Sequence, residues 1–502
     1  MASGPNTPAP TRFFSQRERR DLFLRIFPSI MIPMYLAIGD QTLLATALPA
    51  IVGSLGEAER ISWIMAAYLV ANTIAAPIYG YIGDVFGRKP LMFIALGLYV
   101  GAGVFCYFAP NVWFLIIGRL IQGLGGGGLM ALSQALVGEV VPVRERGNFQ
   151  GYLASIGVVA TTVGPILGGY VTQHFGWRYV FLINIPVAIL AIGLTFRLKT
   201  KPGNKEADWH FDFLGLILFI LFVLPVMFAL EQAQRISMER LPPILGLFAL
   251  SAFFFIVLVR HENKVHAPLL PLALFRQRAI WQSSLMVLCQ GAMLTSLVTF
   301  IPLYMRVVRG ADAANTGWLI LPLTIGLSIG SILTGRVMSR TGLTMIIPSF
   351  TLFPAVLLLI FFSLTTSELS PTMMAWVLGC TAILLGSVMN VAQVTVQSTA
   401  GPQKLGAAAS STQFARSVGA AFGTALFSTV LFGILSVQNP DDAQMFNQIL
   451  DHGPDALNAL APLARERLNA EIALAFQSGF LVSACFVIIS MICAWTHPHR
   501  KL

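Results

Sequence analysis

Runs of about 18 or more mostly apolar residues recur along this chain, separated by polar turns, and each is long enough to cross a bilayer as a helix. Fourteen are traced, at 26–50, 62–83, 91–109, 112–138, 148–172, 179–197, 213–230, 243–260, 280–303, 315–337, 344–364, 373–397, 408–436 and 473–495. One connection breaks the short-loop rule. Residues 437–472 are too polar to span, yet Leu457, Leu460, Leu463 and Leu468 suggest an amphipathic helix. The expectation is a surface helix lying on the bilayer, with docking of a partner protein as the alternative. No short apolar segment with a small-residue cleavage site precedes the first run, so the N-terminus is expected to be retained.

Composition removes the soluble alternative. The 502 residues are 56% hydrophobic and 11% charged, against about 25% charged in a soluble domain. The net charge of +10 would suit a polyanion, but its distribution argues otherwise. With the N-terminus in the cytosol, most Lys and Arg fall in inner segments such as "GRKP", "RLKTKPGNK" and "FRQR", while acidic residues lean outward. This is the positive-inside pattern, with both termini cytosolic and no nucleic-acid partner implied. Cys106, Cys289, Cys380, Cys485 and Cys493 all fall inside predicted spans, without metal-ligand spacing, and read as packing residues. No metal site is expected.

The same scarcity of charge marks the chemistry. Only Asp40, Arg119 and Arg416 are clearly intramembrane, where an unpaired charge costs at least ~2.5–3.5 kcal/mol. Asp40 is placed roughly 3 Å outward of the middle of its span and Arg119 roughly 10 Å outward of its own. An arginine side chain closes that gap, so the two are expected to pair. Asp40 then either binds and releases a proton as access alternates, or forms a permanent structural pair with Arg119. Arg416 is expected to be structural or to reach towards the cytosol. Asn390, Gln393 and Gln397 share one face of span twelve and either line a cavity or bond a neighbouring helix. With Gln122 and Arg416 they make up the predicted substrate cavity. All seven histidines lie outside the predicted spans, which argues against an intramembrane enzyme, and His497 and His499 are expected to be solvated.

Two charged inner loops divide the chain into a cytosolic segment (1–25), a six-helix block (26–198), a linker with two additional spans (199–277), a second six-helix block (278–496) and a cytosolic tail (497–502). "GYIGDVFGRK" (80–89) and "GRVMSRTGLT" (335–344) form a faint repeat between the blocks, as expected of a transporter that rocks one half against the other. "VGPILGGYV" sets Gly164 and Gly168 four apart for close helix approach, with Pro165 favouring a kink. "GLGGGG" (123–128) matches a nucleotide fingerprint formally, but it lies mid-span, so the match is read as chance.

Together these motifs resemble the major facilitator superfamily (MFS), in particular its fourteen-helix drug:proton antiporters of the EmrB/QacA type. The resemblance rests on "GDQTLLATALPAI" around Asp40, "GYIGDVFGRKPL", "RLIQGLGGGG", "GPILGG" and "WRYVFLINIP", and covers essentially the whole chain. It implies an all-α integral membrane protein with the MFS fold: two six-helix bundles plus two additional helices between them. It implies a proton-coupled multidrug exporter of lipophilic or amphipathic compounds in a bacterial inner membrane. A transporter of one metabolite, lipid or siderophore is the alternative. Asp40 and Arg119 take the proton-coupling role. Gly80, Asp84, Gly87, Arg88 and Lys89 take the gating role, with Arg144 or Arg146 as partner of Asp84. Gly164, Pro165, Gly168 and Gly169 form the antiporter motif. Two departures stand out: Val85 replaces a usual basic residue, and Ser339 replaces the aspartate in the second copy. The second half is therefore expected to latch weakly or not at all. Energy comes from the proton motive force with no cofactor. A periplasmic adaptor is a candidate partner for the 437–472 loop. One membrane acid favours neutral, zwitterionic or monovalent substrates over dications.

Overall fold

The computed structural model describes residues 26–56, 60–198, 200, 211–232, 241–265, 272–310, 313–438, 445–446 and 462–501. Among these, fourteen helices are long and apolar enough to cross a membrane. In chain order they are α1 (Pro28–Leu55), α2 (Ile61–Phe86), α3 (Arg88–Tyr107), α4 (Val112–Val140), α5 (Arg146–His174), α6 (Tyr179–Phe196) and α7 (Phe213–Gln232). There follow α8 (Leu241–Glu262), α9 (Arg278–Val307), α10 (Ala313–Thr341), α11 (Ile346–Thr365), α12 (Pro371–Ala400), α13 (Leu405–Gln438) and α14 (Pro462–Trp495). The turns between them are built by local chemistry. Asn111 caps α4 by accepting from the Phe114 amide at 2.9 Å, and Ser370 caps α12 by accepting from the Met373 amide at 3.3 Å. Gly87 alone joins α2 to α3 at φ 90°, a backbone setting that favours glycine.

Helices α1–α6 pack as one bundle around Met92, Leu96, Leu129, Leu132 and Phe149. Helices α9–α14 form the other, whose core is aromatic. Phe300 stacks on Phe427 with ring centroids 4.0 Å apart, and Phe476, Phe480, Tyr304 and Phe362 close around them. Large apolar side chains such as Ile94, Phe196, Phe253, Phe350 and Trp376 are exposed, as lipid contact requires. The additional hairpin α7–α8 rests on both bundles. Leu218, Phe219 and Val223 of α7 pack against Val70 and Ile74 of α2 and against Phe414 and Val418 of α13. Its foot is pinned by Asp212, which accepts from the Gly215 amide and contacts His261 Nε2, both at 2.8 Å.

One face of the molecule gathers the basic turns and the C-terminal tail. Lys89 Nζ donates to the carbonyls of Phe196 and Leu198 at the end of α6 (2.9 and 3.0 Å). The amide of Thr344, in the turn after α10, donates to Arg500 O at 3.0 Å. We call this the basic face.

Two expectations fail here. The surface helix expected within 437–472 is, from Pro462 onward, the beginning of α14. Leu468 and Ile472 are buried in the second bundle, and Phe446 packs on Phe432 and Phe476. Charges in the second and third turns of α14, with Arg467 and Glu471 paired at 3.0 Å, disguise a continuous helix as a loop. Leu457 and Leu460 lie outside the described residues. His497 is buried rather than solvated. Its Nε2 lies 3.0 Å from Ala279 O and its Nδ1 3.2 Å from His499 O. Burial pushes its pKa below the ordinary histidine value.

Candidate functional site

Asp40 on α1 is 3% exposed and Arg119 on α4 is fully buried. They form an ion pair through Oδ2 and Nη1. Gln122, one turn beyond Arg119, donates to Asp40 Oδ1 at 3.0 Å and accepts from Arg119 at 2.7 Å. The Tyr99 hydroxyl on α3 donates to Oδ1 at 3.1 Å and accepts from Asn184 Nδ2 on α6 at 3.0 Å. Below the guanidinium lies the Tyr68 ring of α2, 4.2 Å from its carbon. Five helices thus meet at one carboxylate. The glycine run makes this possible. A Cβ at Gly123 would meet Tyr68 O at 2.5 Å, and one at Gly125 would meet Ala95 O at 2.8 Å. The run is a helix-packing groove, not a phosphate loop. Tyr68, Tyr99 and Asn184 escape sequence reasoning because neither a tyrosine nor a lone asparagine stands out in an apolar span.

The antiporter-motif residues divide by helix face. Gly164 and Gly168 face α1, where an added Cβ would overlap Thr42, and Leu43 O with Thr46, respectively. Thr42 Oγ1 donates across this contact to Ala160 O at 3.1 Å. Pro165 is exposed on another face, and Gly169 has open space beside it. The pair of glycines therefore sets how closely α5 holds the helix that carries Asp40.

The two bundles meet along two seams, α2 with α13 and α5 with α10. In the first, Asp84 accepts from the Gly406 amide (2.9 and 3.0 Å) and the Ala407 amide (3.1 Å) at the start of α13. An acid at a helix N-terminus satisfies amides that lack intrahelical partners. Gly80 permits the contact, since its Cβ would meet Gly406 O at 2.6 Å. Arg88 binds Asp84 at 2.5 Å and also pairs with Glu139 of α4. The expected partnership of Asp84 with Arg144 or Arg146 is thus corrected. Arg146 bonds the Val141 carbonyl at 3.0 Å and the Gly138 carbonyl, closing the end of α4. Arg144 reaches the second seam, donating to Ser339 O at 3.1 Å and Arg340 O at 3.2 Å at the end of α10.

The second repeat copy makes its contact through neutral groups. Asn148 Nδ2 donates to Ser339 Oγ at 3.0 Å, and Gly335 lies against Gly147. The polar face of α12 belongs to the same closure rather than to a cavity. Asn390 donates to Gly147 O (3.1 Å) and Ser331 O (2.8 Å), and Gln397 donates to Gln134 O at 3.0 Å. Gln393 accepts from Thr412. Gln122 likewise serves the Asp40 cluster. Buried amides placed one turn apart find carbonyls when two helices close on them, and these lie in the half nearer the basic face. Arg416 pairs with no acid among the described residues; its Nε donates to Gln413 Oε1 at 3.3 Å.

Two helical bundles joined on one face, the first holding a buried acid–arginine pair, are the architecture of a membrane carrier. The chain belongs to the major facilitator superfamily, whose family description matches residues 32–424. It is 31% identical to Multidrug transporter protein MdtP of Bacillus subtilis (strain 168), over 81% of this chain and 75% of that protein. It is 28% identical to Multidrug resistance protein 3 of the same organism, over 80% and 78%. The solved proton:xylose symporter XylE shares the fold, with TM-score 0.61 and 14% identity over 96% of this chain and 97% of that one.

Proposed function

We propose that this protein exports lipophilic or amphipathic small molecules in exchange for protons by alternating access. The observation that carries the proposal is the Asp40–Arg119 pair, a carboxylate held among three side-chain donors at membrane depth. Withdrawing the guanidinium from an acid so deeply buried favours its neutral, protonated form, and returning it favours release. A shift of α1 against α4 would make that exchange. Because α5 grips α1 through Gly164 and Gly168, and α5 forms one seam with α10, seam movement has a mechanical route to Asp40.

The surplus of Lys and Arg on the basic face supports placing that face, and both termini, in the cytosol. The described conformation is then closed to the cytosol, since the hydrogen bonds joining the bundles fall in that half. The names of the bacterial relatives support drug export across a cell membrane. A periplasmic adaptor has no observation in its support. One proton crossing ~150 mV releases about 3.5 kcal/mol, enough for a gradient of about 10²–10³ in a neutral compound.

The test is transport in proteoliposomes with an imposed pH gradient, comparing wild type with Asp40→Asn. Gradient-driven accumulation should fall to the level of empty vesicles in the variant. Equal accumulation in both would remove Asp40 from the coupling.

A further inference from the structure

Arg416 differs from Arg119 within the membrane and from Arg88 at the basic face. It lies eleven residues beyond the start of α13, roughly 16 Å from the basic-face end at 1.5 Å per residue. Asp40 lies twelve residues into α1, at about the same level. Arg119 is neutralised by Asp40, and Arg88 by two acids. Among the described residues Arg416 has only the Gln413 amide oxygen, at 3.3 Å, and it is part-exposed. An arginine does not shed its proton in a protein, so this group stays charged.

The neighbours of α13 show where that charge faces. Gly406, Phe414 and Val418 meet α2 and α7. Phe422 meets Phe486 of α14. Gly419 and Gly423 press on Leu288 and Ala292 of α9. Gly291 of α9 also presses on the Arg416 carbonyl, so the strip left over carries Gln413 and the Arg416 side chain and lies between α9 of one bundle and α2 of the other. Beneath it, towards the basic face, the bundles are joined by Gln397 on Gln134 O and by Asn390 on Gly147 O. A guanidinium at mid-depth, part-exposed and with no acid among the described residues, draws its solvation from the space between the bundles, the central cleft.

We infer that Arg416 is the substrate-recognition residue of the central cleft and that the preferred substrates are amphipathic compounds carrying one anionic group, such as a carboxylate. This rests on the export reading and names its substrate class. The Asp40–Arg119 pair carries no net charge, so Arg416 sets the sign of the cleft. A carboxylate replaces water at the guanidinium with a charge-assisted, bidentate contact, while the apolar body of the compound stays among helix side chains. The same charge repels an organic cation at the same place, and this sharpens the expectation that dications are poor substrates.

The experiment uses the full chain in nanodiscs and three probes with one apolar body: pyrenebutyrate, pyrenebutanol and the trimethylammonium counterpart. Equilibrium binding is read by tryptophan-to-pyrene energy transfer, corrected with protein-free discs. Wild type should favour the carboxylate over the cation by about tenfold or more. Arg416→Gln should weaken the carboxylate about ten- to a hundredfold, the range of a charge-assisted bond, and leave pyrenebutanol within about twofold. Arg416→Lys should retain most of the preference. Wild-type binding of pyrenebutanol and the cation without preference for the carboxylate overturns this inference alone, and that comparison needs no variant. An unchanged carboxylate affinity in Arg416→Gln does the same. Binding of none of the three probes overturns the export reading as well.

Discussion

The two seams between the bundles do the same job with opposite charges. At α2–α13 an acid, Asp84, sits on the amide end of a helix. At α5–α10 a base, Arg144, sits on the carbonyl end of one. Both contacts are favourable for one reason: an α-helix carries partial positive charge at its N-terminus and partial negative charge at its C-terminus. The repeat around Gly80 and Gly335 keeps its glycines, which bring backbones together in each seam, but it does not keep its charge. Where Asp84 has its counterpart at Ser339, the other bundle supplies the ion. Pseudo-symmetry here preserves the close approach and leaves the sign of the latch free.

The comparison breaks most decisively at the glycines. Gly406→Val would set a branched side chain against Gly80 O and the Asp84 carboxylate. Closure at the basic face should fail, with transport reduced at least about a hundredfold, and spin-label distances across α2–α13 should lengthen. Unchanged distances would mean that this seam is not a gate. A smaller and more telling effect is expected from the charges. Asp84→Asn removes the acid from both the helix end and Arg88 and should lower transport about tenfold. Arg144→Gln loses bonds to two carbonyls but leaves Asn148 on Ser339, so about threefold is expected. Equal losses in the two would contradict the ranking of the seams.

The mildest effect concerns the brace on the second seam. The tail holds the turn after α10 through Thr344, and buried His497 anchors the tail to Ala279. The groups facing His497 are Ser283, His499 and Arg278, none of them acidic. Its pKa in the folded tail lies below the ordinary value of about 6.5. The stabilisation it brings is therefore complete above that value and is lost as pH falls below it. Cleavage of the tail by a protease should accelerate as pH falls below about 6.5, and His497→Gln should flatten that dependence. No change in cleavage on acidification would separate His497 from the brace.

How far the sequence carried depended on whether the cue was local. Spans are local, and apolar length alone located all fourteen helices to within a few residues, apart from the start of α14. There the charges of Arg467 and Glu471 hid helix that continues beyond the apolar run. Asp40 and Arg119 were legible because so few charges occur in such surroundings. Their companions Tyr68, Tyr99 and Asn184 were not, since the spacing of residues along the chain does not reveal which helices share a junction. The partner of Asp84 was missed for a related reason. A helix end offers bare amides that no residue letter records. His497 looked solvated beside other polar tail residues because its burial comes from α9, more than two hundred residues away in the chain.

The hairpin α7–α8 bears on any rearrangement of the halves. Because α7 leans on one helix from each bundle, it cannot follow both when they part. Its supports at Val70, Ile74, Phe414 and Val418 are hydrocarbon, which resists sliding far less than a row of directional bonds would. As built, α7 is a greased cover laid across the joint, with α8 backing it on the far side and no directional bond among those supports.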